Sequence, residues 1–235
     1  KWYRKLHKPE WEEGALRNMQ VAQSKYPLKD EYKAYCEYLI DYEHAKWTAS
    51  SEMAVEKFDL SKLNASLDAF YLRAKLECLC HMTNHGLVAG QPYEMSEKPL
   101  IHQLLQKRRE QLSQSTLIWE KALLLLQQPG SREHYLDLKQ TLLEQGKFLS
   151  TAENQTIFSY LLHSARLSFP ASEDYFREMM KLYQQQILSG TLLVEGFLNP
   201  ITFLNIIIVA IRLKDIDWAE NFSHQFEDKL DPGAE

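Results

Sequence analysis

The sequence predicts an all-α protein of stacked antiparallel helix pairs, and three observations predict it. Apolar positions recur at helical spacing along almost the whole chain, while the period-two alternation of a half-buried strand is never sustained. Gly and Pro are scarce, eight of each, and most of them fall between the periodic segments as punctuation. In the second half, helix starts recur near 100, 131, 172 and 215, a spacing of roughly 30 to 45 residues that suits two-helix repeats.

Lys1, Arg4, Lys5 and Lys8 stand with Trp2, Tyr3 and His7 in a basic, aromatic run closed by Pro9, and a chain that opens there predicts residues upstream of Lys1. Residues 10–24 then predict a short helix with Leu16, Met19, Val21 and Ala22 on one face, ending before Pro27. Residues 30–49 predict an amphipathic helix carrying Tyr32, Tyr35, Cys36, Leu39, Ile40 and the stretch from Tyr42 to Trp47, and 51–58 a further short one. The helix over 64–85 has two apolar stripes. Leu67, Phe70, Tyr71, Ala74, Cys78 and Met82 form one and Leu72, Leu76 and Leu79 the other, with Asp68, Arg73, Lys75 and Glu77 in the gaps, as expected of a helix packed between two layers. Gly86 is the expected stop. The loop 87–99, with Gly90, Pro92 and Pro99, predicts a boundary between an N-terminal helical segment, 1–90, and a continuous repeat array, 96–235.

In that array 100–114 pairs with 115–128, 131–148 with 151–169, and 172–189 with 200–213, and 217–230 closes the series. Pro129-Gly130, Gly146, Pro170 and Gly190 fall at helix ends, and Ser131, Ser150 and Ser172 are placed to cap the helices that follow. Residues 191–199 form the one long interruption. The segment 200–213 is apolar around nearly its whole circumference, which predicts a helix covered on every side. After a short turn, Asp217 precedes Glu220 by three residues, the spacing of a capping box. Trp218, Phe222, Phe226 and Leu230 then mark one face, with Glu220, Asn221, Glu227 and Asp228 away from it.

Val209-Ala-Ile-Arg-Leu-Lys-Asp-Ile-Asp-Trp-Ala-Glu-Asn-Phe222, closed by Leu230-Asp-Pro232, resembles a tetratricopeptide-like unit, with Ala210 in its first helix, Ala219 early in its second and a final proline. It departs from that motif in having no Gly in the first helix or turn and a turn about one residue short. Leu67-Asp-Ala-Phe-Tyr-Leu-Arg-Ala-Lys-Leu-Glu-Cys78, taken with the Asp217-Trp-Ala-Glu220 hairpin, is also similar to bacterial helical-repeat proteins of no established activity. These resemblances imply a right-handed αα-superhelix that binds other proteins or peptides, and they bring no catalytic residue with them.

Composition narrows the function classes. A net charge of −5, with both signs spread along the chain, gives no basic face for phosphate-driven binding. Three cysteines, Cys36, Cys78 and Cys80, do not suit a disulfide framework and point to a reducing cytoplasm. The longest apolar window, 192–213, is interrupted by Glu195, Gly196, Asn199, Pro200 and Asn205, leaving less than the roughly 20 residues a span needs, so no membrane partner is expected. Glycosylation-type triplets at Asn64, Asn154 and Asn221 read as coincidence without a signal sequence.

Cys78, His81 and His85 project from one side of a helix and offer zinc-type ligands, but His81-Met-Thr-Asn-His85 lacks the Glu of a metalloprotease helix, and Cys78 lies on an apolar stripe. No thiol has an activating partner nearby in sequence, no strand-turn-helix elbow presents a serine, and no Gly-rich phosphate loop occurs. We therefore assign no catalytic, cofactor or metal residue. Lys107-Arg108-Arg109 reads as a solvated helix face partly neutralised by Glu110. Tyr32, Tyr35, Tyr38 and Tyr42 cover more of their helix than one buried stripe requires, and are the candidate binding residues. The expected function is a non-catalytic scaffold holding a peptide or helix in a groove; the alternatives are a nucleic-acid-associated repeat protein or an all-α enzyme.

Overall fold

The computed structural model describes residues 9–25, 31–50, 60–91, 93–94, 96–170 and 172–230. These form ten α-helices: α1 (Pro9–Lys25), α2 (Glu31–Ser50), α3 (Leu60–Ala89), α4 (Lys98–Lys107), α5 (Gln114–Gln127), α6 (Arg132–Gln145), α7 (Thr151–Ser168), α8 (Ser172–Leu188), α9 (Pro200–Arg212) and α10 (Ile216–Phe226). Single 3-10 turns follow α4, α6 and α10, and no strand occurs among the described residues. The all-α class is therefore as the sequence predicts. The additional helix expected over 51–58 and the basic run 1–8 lie outside the described residues. The chain forms two compact units, 1–120 and 121–235, and α5 contributes its first half to one and its second half to the other.

In the first unit α1 packs on α2, α2 on α3, and α3 on α4. The face expected on α1 contracts to one residue, since Leu16 is buried whereas Met19 and Val21 are exposed. On α3 the stripe Leu72, Leu76 and Leu79 is fully buried, together with Cys80, but Leu67 and Cys78 of the other stripe are exposed and Phe70, Tyr71, Ala74 and Met82 are half-buried. One side of α3 thus faces a core, and the other is only partly covered, because α2 supplies aromatic rings and no second layer. Arg73, read in sequence as a gap residue, is 2% exposed. Its guanidinium stands 4.8 Å from the Trp119 ring and pairs with Glu77 at 3.0 Å, so the charge is buried with an aromatic face and a carboxylate for company. Gly86 is buried inside α3, and the helix runs on to Ala89, where Gly90 at φ +67° lets the N–H of Gln91 reach back to the carbonyl of Gly86.

In the second unit the helices again pack in chain order: α6 on α7, α7 on α8, α8 on α9, and α9 on α10. Helix starts follow local chemistry. Ser131 accepts from the N–H of His134, and Ser150 and Glu153 form a reciprocal capping box. Asn199 accepts from the N–H groups of Ile201 and Thr202 ahead of Pro200, which fits the first turn because it has no N–H to satisfy. Ser172 opens α8, but its side chain lies outside the described residues. The capping box expected at Asp217 is not formed: α10 starts at Ile216, and its N-cap is Asp215, without a side-chain bond. The cause is the end of α9. Lys214 takes the left-handed conformation, φ +62°, its N–H bonds the carbonyl of Ile211, and the N–H of Asp215 bonds that of Ala210. This closes α9 in the manner usually given to glycine and starts α10 earlier than the sequence suggests. Gly190, at φ +70°, closes α8 the same way.

The interruption 191–199 is ordered by a two-residue turn. Glu195 (φ +51°) and Gly196 (φ +90°) sit at its centre, and Val194 and Phe197 exchange both backbone hydrogen bonds at 2.8 Å. Gln155 of α7 donates to the carbonyls of Thr191 and Leu193, and the N–H of Leu198 donates to that of Lys229, which ties the segment down at both ends. Asn154 is buried and its amide donates to the carbonyls of Gly146, Leu149 and Ser150, which explains Gly146 (a Cβ there would meet Asn154 Oδ1 at 2.8 Å) and closes this triplet to glycosylation in the folded chain.

Candidate functional site

Helix α9 differs most from its sequence reading. Ile206, Val209 and Ala210 are buried, but Ile201, Leu204, Ile208 and Ile211 are 68, 57, 50 and 52% exposed. At 100° per residue the four exposed positions fall within one narrow arc, opposite the three buried ones. Their 3-4-3 spacing is the spacing of a helix-pairing seam. Phe203 leaves that arc to meet Phe222 of α10, with ring centroids 5.5 Å apart. The helix is apolar all round, as the sequence says, yet half of its surface faces solvent. The expectation that neighbours cover it on every side is corrected, because among the described residues its substantial packing comes from α8 and α10, on the side of Ile206, Val209 and Ala210. Asn205 and Arg212 are exposed on the edge of the arc, and Arg212 makes no ion pair among the described residues.

A second feature lies between α8 and α10. Gln184, Ile187 and Leu188 project from α8 at i, i+3 and i+4; Trp218, Asn221, Phe222 and Gln225 project from α10 at i, i+3, i+4 and i+7. Between these stripes is an open cleft of about 330 Å³. Phe222 forms part of its wall, buried between Trp218 (5.3 Å, nearly parallel) and Phe226 (4.7 Å). The aromatic face of α10 is thus where the sequence places it, and Asn221, assigned to the outer side, borders the cleft.

The candidate tyrosines belong to α2 in the first unit. Tyr35 is exposed with its ring 5.1 Å from Phe70 of α3. Tyr38 is half-buried, stacked on Phe70 (6.4 Å) and on Tyr42 (5.9 Å), and Tyr42 lies beneath the Lys46 ammonium at 4.1 Å. The side chain of Tyr32 lies outside the described residues. The structure therefore brings Tyr35 and Tyr38 to Phe70 at the α2–α3 contact, with Tyr42 joined to them through Tyr38.

The other constellations separate. Cys78 is exposed, not part of a core stripe, and its Sγ contacts Met82 Sδ at 3.8 Å, while His85 bonds the Tyr93 hydroxyl at 2.8 Å. Among the described residues no group of three or more His, Cys, Asp or Glu is placed to hold a metal ion. Cys80 is buried, donates to the Trp119 carbonyl at 3.5 Å, and has its thiol pushed well above the usual range by burial. In the basic triplet, Arg108 is held by Asp68 at 2.6 Å and Arg109 by Glu120, so the neutralising carboxylates come from α3 and α5 and not from Glu110. Glu178 of the second unit is buried and ionic: it pairs with Lys139, accepts from the Tyr135 hydroxyl at 3.1 Å and lies 3.9 Å from Lys181. Burial and the Glu178 charge push the Tyr135 phenol up. With its acceptors and donors matched across α6 and α8, this cluster is a packing device.

The fold and these surfaces define an all-helical protein with an exposed apolar helix face and a neutral interhelical cleft. In comparisons with protein-family models, curated proteins and solved structures, none matches the chain. Among the described residues, no helix is long and apolar enough to cross a membrane.

Proposed function

We propose that this is a non-catalytic protein–protein interaction scaffold of tetratricopeptide-like construction, working in a reducing cytoplasm, with the exposed face of α9 as its principal contact surface. The observation that carries this reading is the row Ile201, Leu204, Ile208 and Ile211, four large aliphatic side chains each at least half exposed on three turns of one helix. Such a row is costly to leave in water, since covering it recovers on the order of 1 kcal/mol per half-exposed side chain. Buried Ala210 and Ala219 support the tetratricopeptide-like reading, because small residues there let α9 and α10 approach closely. The three free thiols support the compartment.

The test is site-specific photo-crosslinking in the native host. A photoreactive phenylalanine at position 208 is expected to yield a discrete adduct that the same residue at the exposed polar position Glu144 does not, and the purified partner should lose at least tenfold in affinity on Ile208→Asp. Identical adduct patterns from both positions, or none from either, would overturn the reading.

A further inference from the structure

The cleft between α8 and α10 has an unusual chemical balance for a surface depression. None of its lining side chains ionises, and three of them are amides: Gln184, Asn221 and Gln225. None of these amides, nor the Trp218 indole N–H, has a side-chain hydrogen-bond partner among the described residues. Ile187 and Leu188 supply aliphatic surface on the opposite wall, and Leu188 is 79% exposed, more than any other large apolar residue described. A carboxamide carries both a donor and an acceptor, so it can pair with a peptide group through complementary hydrogen bonds. A helix laid in the cleft would leave those amides idle, because its main chain is already satisfied, whereas an extended segment brings N–H and C=O groups that must find partners. A sugar would bring many hydroxyls to walls that are mostly hydrocarbon.

From this we infer that the α8–α10 cleft binds a short, extended, uncharged peptide segment, its main chain held by Gln184, Asn221 and Gln225 and an aliphatic side chain lodged between Leu188 and Trp218. At about 330 Å³ the cleft is at the small end of ligand pockets, which run from about 300 to 1,000 Å³, so it takes a short stretch of chain and binds it weakly. With no charge in the lining, binding does not depend on salt. The site is separate from the α9 face, and neither reading needs the other.

The experiment is a titration of the full chain, ¹⁵N-labelled, with N-acetyl-leucine-N′-methylamide, followed by NMR. Saturable shifts are expected at the Trp218 indole and the side-chain amides of Gln184, Asn221 and Gln225, unchanged between low and high salt. Asn221→Ala and Gln225→Ala, both exposed positions that leave the fold alone, should each weaken the probe by about two- to tenfold, the equivalent of one net hydrogen bond. Leu204→Asp should leave the probe's affinity unchanged, which keeps failure here distinct from failure at α9. Shifts that never saturate, binding indifferent to both amide substitutions, or preferential saturation by methyl β-glucoside would each overturn the assignment.

Discussion

Tyr183 is buried on α8, and burial, reinforced by the neighbouring Tyr175, pushes its phenol from 10.0 up to about 12. Folding therefore favours the neutral form. The stability this confers is complete below pH 10 and is lost as pH rises from 10 towards 12, where the unfolded chain ionises first. The sum at stake is on the order of 2–3 kcal/mol, and Tyr135 adds to it with the same sign. Urea midpoints measured across that interval should fall more steeply for the native sequence than for Tyr183→Phe. Parallel curves would mean that the phenol is solvated. Nothing in the sequence around Tyr183 distinguishes it from the tyrosines of α2, because burial of a ring depends on which distant helix arrives beside it. The same blindness applies to Arg73, whose neighbours in sequence are those of a surface residue, while Trp119 lies 46 positions further on.

At the scale of the element, the ends were more legible than the faces. Ser131, Ser150 with Glu153, and Pro200 signal helix starts because a cap is satisfied within three residues of itself, so its chemistry is all in the local sequence. The end of α9 falls where the sequence places it, but the capping box read at Asp217 does not form, and no glycine announces how the turn closes because Lys214 takes the left-handed position. That lysine costs stability: a left-handed residue with a Cβ is disfavoured by roughly 1 kcal/mol relative to glycine. Lys214→Gly should raise the unfolding free energy by about that amount, read by chemical denaturation, since the exposed side chain makes no ion pair among the described residues. A loss of stability instead would show that the lysine makes a contact worth more than the backbone strain. The exposure of α9 was illegible for a different reason. Ile206 is buried and Ile208 is exposed, and nothing in an isoleucine records whether another helix covers it.

For the whole molecule the apolar face of α9 matters more to solubility than to folding. The double substitution Leu204→Lys with Ile208→Lys should raise the concentration at which the protein stays in solution while changing its stability by no more than about 0.5 kcal/mol, the range of ordinary surface changes. Were these residues part of a core, two such substitutions would cost several kcal/mol, so the denaturation midpoint separates the cases. While α5 meets α3, where Trp119 lies against Cys80 and Arg73, most of the substantial packing within each unit joins a helix to the next one along the chain. Contacts of that kind close short loops, which is the arrangement that lets chains fold quickly. A nascent chain leaving the ribosome would then hold, for most of its helices, the partner that the newest one needs. For α10 that partner is α9, three residues upstream, and the order of synthesis is also the order of assembly.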